Sequence, residues 1–179
     1  KPGGVSVEIV QIYDENNGGI SEWNSTGTGL VMNSTADPFT GTLSIEATSA
    51  TNTSFATFSA TQSTISDFSI LDFSIKSKGT WDPTDNIKFS FLFDGDKVGK
   101  SLKLFDGTFG FDSSNTTSYQ NFSFKKSNFG IPNQIHGLII EVGSTNGIGF
   151  YMDNIRLQKG LSTVSNEAAT IGDLEQGLI

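Results

Sequence analysis

Asn86-Ile87-Lys88-Phe89-Ser90-Phe91-Leu92-Phe93-Asp94 is the stretch that decides the fold. Ile87, Phe89, Phe91 and Phe93 recur at period two, with Lys88, Ser90 and Leu92 between them. That is the pattern of a strand with one face in a core. Asp94-Gly95-Asp96-Lys97 follows at once and is a hairpin signal, leading into a partner strand at 101–105. Upstream, 5–13, 42–48, 55–60 and 68–75 alternate in the same way. In the last of these, Ile70 and Phe73 break the strict period, which a bulge or a change of sheet would explain. Downstream, 109–111, 119–124, 136–142 and 148–157 complete about ten strands spaced roughly 8 to 15 residues apart. No amphipathic helix interrupts them before residue 160, so a βα-repeating fold is excluded. An all-β fold is expected, a two-sheet antiparallel β-sandwich or jelly roll.

Composition agrees. The 179 residues suffice for one domain with a core, and although only 35% are hydrophobic, 15 of them are Phe. Charged residues make up 17% of the chain, so Ser, Thr and Asn must form most of the polar surface. The sandwich is expected over residues 1–160. The stretch 161–179 changes character, with Gly172 and Gly177 interrupting a short helical pattern, and reads as a tail or linker.

A net charge of −8 repels phosphate backbones and argues against nucleic acid. It is compatible with a bound divalent cation, but solubility alone accounts for it. Cysteine is absent, which removes disulfides, thiolate metal sites and thiol nucleophiles, and points to bacterial export to the medium or cell surface. The Asn-x-Ser/Thr sequons at Asn24, Asn33, Asn52, Asn115 and Asn121 are what chance supplies in so Asn- and Thr-rich a chain. No apolar run approaches the ~20 residues that span a bilayer.

Catalytic patterns are missing. The single histidine, His136, opens a buried-looking strand and reads as a structural or edge residue. There is no nucleophile elbow, P-loop or dinucleotide fingerprint. Two carboxylates suffice for glycoside hydrolysis, so a dyad drawn from Glu46, Glu141 and nearby acids stays open for a jelly-roll lyase or hydrolase. No single strand carries closely spaced acids, and a non-enzymatic role is expected.

Three stretches carry a resemblance. Ile12-Tyr13-Asp14-Glu15-Asn16-Asn17-Gly18-Gly19-Ile20-Ser21-Glu22-Trp23 resembles the opening of jelly-roll, galactose-binding-like carbohydrate-binding modules of secreted polysaccharide-active proteins. Phe150-Tyr151-Met152-Asp153-Asn154-Ile155-Arg156-Leu157 is similar to their final strand, and Asp37-Pro38-Phe39-Thr40-Gly41-Thr42-Leu43-Ser44-Ile45 to their turn into the third strand. Ile20 departs from the pattern, since such modules often show Trp there.

The resemblance implies non-catalytic binding of a polysaccharide or oligosaccharide, and a structural calcium joining the start of the chain to its end. Asp14 and Asp153 would supply carboxylates, with Asp37 and a carbonyl near Thr40 or Thr42 from the turn. The bland alternative makes Asp14 and Asp153 solvated turn residues. Asp94-Gly95-Asp96 is explained by its hairpin.

Sugars need flat apolar faces beside hydrogen-bonding groups. Trp23 and Trp81 both fall in expected loops. Trp23 is open to either role, because its counterpart often packs on the core; Trp81 favours ligand contact. Asn52, Glu46, Glu141 and Asn146 are the polar partners weighed, while Phe55 reads as core. In a purely structural or adhesion sandwich both tryptophans would be buried instead.

Overall fold

The structure is a computed structural model that describes residues 8–13, 23–60, 65, 67–131 and 134–159. Among the described residues eleven strands form two antiparallel sheets. The first contains β3 (Val31–Ser34), β4 (Ser44–Ala50), β11 (Ile148–Lys159), β6 (Phe68–Ser77) and β9 (Gln120–Lys125) in that order, with β1 (Glu8–Tyr13) also on β11. The second runs β2 (Trp23–Thr28), β5 (Phe55–Ala60), β10 (Gly137–Gly143), β7 (Asn86–Phe93), β8 (Asp96–Phe105). The architecture is the expected all-β sandwich. No helix among the described residues is long and apolar enough to cross a membrane.

Alternation along the strands builds the core. Ile87, Phe89 and Phe91 of β7 are fully buried and face Leu71, Phe73 and Ile75 of β6 across the sandwich. Phe73 centres an aromatic cluster, 4.6 Å from Phe89 and 5.1 Å from Phe124 between ring centroids. Close-packed aromatic pairs of this kind add to the area they bury.

The β7–β8 hairpin forms where expected. Asp94 (φ 51°) and Gly95 (φ 82°) are both left-handed, which makes the two-residue turn whose twist matches its strands. The expected irregularity in β6 is a register shift between the Ile70–Gln158 and Phe68–Lys159 pairs. Three expectations change. Residues 109–111 are not a strand: Thr108–Gly110 is a 3-10 turn, with Phe109 and Gly110 both at positive φ. β8 starts at Asp96, five residues earlier than the pattern suggests. Trp23 opens strand β2 rather than a loop, and β3 is a further strand without a pattern to announce it.

β11 is the spine of its sheet. Along one edge it pairs with β6 throughout, but along the other it pairs with β4 up to Met152 and with β1 from Ile155. Asp153 and Asn154 sit at that change of partner, on a bulge where Asn154 takes φ 53°. Asn tolerates the left-handed region better than most residues, and a bulge re-aims the adjoining side chain.

Candidate functional site

Asp153 is fully buried at the partner switch. Its Oδ2 accepts the backbone N–H groups of Phe39 and Thr40, both at 2.9 Å, and its Oδ1 accepts that of Asn154 at 2.6 Å. The turn between β3 and β4 is thus pinned into the gap between β4 and β1. Asp37 in the same turn pairs with Lys76, and its carbonyl accepts the Tyr119 hydroxyl at 2.8 Å. Burial, then the charges of Asp153 and Asp37, pushes the Tyr119 phenol up, so it stays a hydrogen donor.

This corner is where the calcium expectation falls. Asp37 and Asp153 lie together there, Thr42 follows in the turn, and Asp14 is outside the described residues. Two of the expected ligands, Asp37 and Asp153, bind donors of the protein itself. Calcium wants six to eight oxygens, yet Asp153 faces backbone N–H groups and Asp37 faces an ammonium. Among the described residues no three acidic or histidine side chains converge.

The tryptophans are core residues. Trp23 and Trp81 are 4% and 3% exposed. Trp81 does lie in a loop, but the loop folds under the sandwich edge. Its backbone N–H donates to Ser113 Oγ at 3.0 Å and its ring packs 4.8 Å from Phe111. Neither indole offers a face to a sugar, which corrects the expectation of stacking through them. Asn146 is exposed in the β10–β11 turn and donates to Asp82 at 3.3 Å, and it does not line the recess described below. The proposed acid dyad is also corrected. Glu46 points outward from β4, where it binds Lys78 and Ser34, and Glu141 points outward from β10 in the other sheet. The two glutamates are on opposite faces of the sandwich and cannot share a substrate.

Two of the expected residues do meet. Asn52, from the β4–β5 turn, and Glu141 line one cavity of 240 Å³ with Asn86, Lys88, Lys103 and Gly143. It opens on the outer face of the β2-β5-β10-β7-β8 sheet. Register places Thr28, Phe55, Glu141, Lys88 and Lys103 in a single row across all five strands. Directly opposite residues share a face, and Ala56 and Phe58 fill the core, so Phe55 points outward, half-buried. This corrects its expected place in the core. The next row is Thr26, Thr57, Ile139 and Ser90, and the one after it Asn24, Ser59, Gly137, Leu92 and Lys97. On the far side Gly143, Asn86 and Phe105 form a shorter row. The face is therefore a floor mostly of Ser, Thr and Gly, broken by Ile139 and Leu92, with Phe55, Phe105 and charged groups standing from it. Glu141 Oε1 lies 2.6 Å from Lys97 Nζ and 3.5 Å from Lys88 Nζ.

The outer face of the other sheet differs. Its 340 Å³ cleft is built on Asp72, whose carboxylate already takes Ser123 and Gln158 at 2.5 Å each and Arg156 at 3.4 Å.

No protein-family model matches the sequence, and no curated protein matches it. Solved structures do. A family 29 carbohydrate-binding module complexed with mannohexaose superposes with a TM-score of 0.56 at 10% identity, over 87% of this chain and 94% of that one. Another, complexed with cellulohexaose, gives 0.55 at 11% over 88% and 94%. A family 29 module from Piromyces equi gives 0.50 at 15% over 96% and 99%. The fold is that of these carbohydrate-binding modules. The expected jelly-roll resemblance is thereby met in structure, while at such identities the choice of site rests on this chain's own residues.

Proposed function

We propose that the chain is a non-catalytic glycan-binding module that holds a polysaccharide or oligosaccharide along the outer face of the β2-β5-β10-β7-β8 sheet. The observation that carries this reading is the row Phe55–Glu141–Lys88–Lys103 raised above a floor of small residues. Small side chains let an extended ligand lie close to the backbone, and Phe55 offers an apolar face to a pyranose ring. Asn52, Asn86 and Glu141 supply donors and acceptors for hydroxyls around a 240 Å³ recess. The shared fold with modules solved in complex with mannohexaose and cellulohexaose supports the ligand class. The separation of Glu46 from Glu141 supports binding without hydrolysis. Export from a bacterial cell, and attachment to further domains, belong to the same reading.

Calorimetric titration with a panel of oligosaccharides tests it. Phe55→Ala and Asn52→Ala should weaken binding by at least about tenfold, with Tm within about 3 °C of the parent. Arg156→Gln on the opposite face should bind normally. Absence of binding to the whole panel, or loss confined to Arg156→Gln, would reject the assignment.

A further inference from the structure

Lys88 and Lys103 stand directly opposite each other on β7 and β8, both on the outer face. Like charges in that relation destabilise a sheet. Lys97 lies two rows away on β8, opposite Leu92, and the acid that Lys88 and Lys97 share is Glu141. Lys103 has no ion pair among the described residues and lines the 240 Å³ recess beside Asn86. Asp94 and Asp96 lie beyond Lys97 at the hairpin, where Asp94 contacts His136. The recess, lined by Lys88, Lys103 and Glu141, thus carries one positive charge in excess on a chain whose net charge is −8.

We infer that the glycan taken by this face is acidic: an anionic group on the sugar sits between Lys88 and Lys103, with the Asn86 and Asn52 amides on neighbouring hydroxyls. The inference rests on the glycan-binding reading above and names its ligand class. An anion at this position removes the cross-strand repulsion and gives Lys103 a partner. Glu141 pairs with Lys88 and Lys97 and leaves Lys103 to the ligand. A charge-assisted bond from each lysine is stronger than a neutral one, and because the site is open to solvent its strength depends on salt.

The test compares the full chain against mannohexaose, hexagalacturonate and a sulfated hexasaccharide by calorimetry. Carboxylate and sulfate are the two sources of the charge, and the two acidic probes tell them apart. At least one should bind about tenfold or more tighter than the neutral probe, and lose about tenfold or more in Lys103→Gln. Its affinity should fall as NaCl rises from about 50 to 500 mM. Lys125→Gln, an exposed lysine on β9 of the other sheet, serves as the control and should bind as the parent does. Equal or tighter binding of mannohexaose with no effect of Lys103→Gln overturns the acidic ligand and leaves the glycan-binding face standing. An equal loss in Lys125→Gln shows diffuse attraction and also overturns it. If none of the probes binds and the wider neutral panel fails too, the glycan-binding reading itself falls.

Discussion

Replacing Asp153 by Ala should be among the most damaging single changes in the chain, and the corner it closes allows the size to be worked out. Its carboxylate is fully buried and accepts two N–H groups from a turn more than a hundred residues away, each at 2.9 Å. Hydrogen bonds to a charged group contribute about 1.5–3 kcal/mol each. The two long-range bonds together therefore hold about 3–6 kcal/mol, a large share of the ~5–15 kcal/mol of a typical domain. The third bond, from Asn154, is local to the bulge and is left out of this figure. For a chain of this size the loss corresponds to a fall in Tm of roughly 6–24 °C. Asp153→Asn keeps a neutral acceptor and should lose about half as much. Urea unfolding followed by tryptophan fluorescence is the assay, since both Trp23 and Trp81 are buried reporters. Each variant is measured in EDTA and in calcium. Because the donors at this corner are amides and an ammonium, the parent should unfold at the same urea concentration in both. A loss below about 1 kcal/mol in Asp153→Ala would refute the reasoning. So would a parent that loses as much in EDTA as the variant does, for then a cation, with Asp14 among its ligands, holds the corner.

Two further outcomes follow from the same geometry. Trp81→Ala should cost about 3–5 kcal/mol of stability in urea unfolding and leave glycan affinity per folded molecule unchanged; lost binding at full stability would restore the loop tryptophan as a ligand contact. Hydrogen bonds from Lys78 and Ser34 hold the Glu46 carboxyl below its ordinary value of 4.5, so its contribution is present above that pH and is lost as pH falls through the lower folded value. Glu46→Gln should flatten the acid limb of a Tm-against-pH curve, and an unchanged limb would show that the pair contributes nothing.

Much of the fold was legible because burial imposes a period. Ile87, Phe89 and Phe91 alternate in sequence and are each 0% exposed in the sandwich. The Asp94-Gly95 turn declares itself through residues that tolerate positive φ. β2 and β3 left no such trace. From Asn24 onward β2 is exposed at every position, and β3 buries only Ser34, so nothing forces apolar residues into alternation there. The tryptophans misled for a related reason. A lack of alternation around Trp81 reports that its backbone is irregular and says nothing of where a 3% exposed ring goes. Asp153 was visible as a motif, but its chemistry depends on which atoms of the turn reach it, N–H or C=O, and both are present in any peptide.

The proposed binding face was hidden by distance along the chain. Phe55, Lys88, Lys103 and Glu141 come from four strands spread over some ninety residues, and each alone has an ordinary explanation as core, solvated charge or edge. Only register sets them in one row. The same register turns the shortage of charged residues, 17% of the chain, into a structural feature. Ser59, Thr57, Ser90 and Gly137 look like weak strand residues when read singly, yet together they pave one outer surface. The opposite sheet spends its polar groups on one another around Asp72. A satisfied network has little left to offer a ligand, whereas Lys103, without an ion pair among the described residues, and the exposed Asn52 amide do. The two outer faces of one sandwich therefore differ in how completely their polar groups are already bonded, and the proposed site lies on the less completely bonded one.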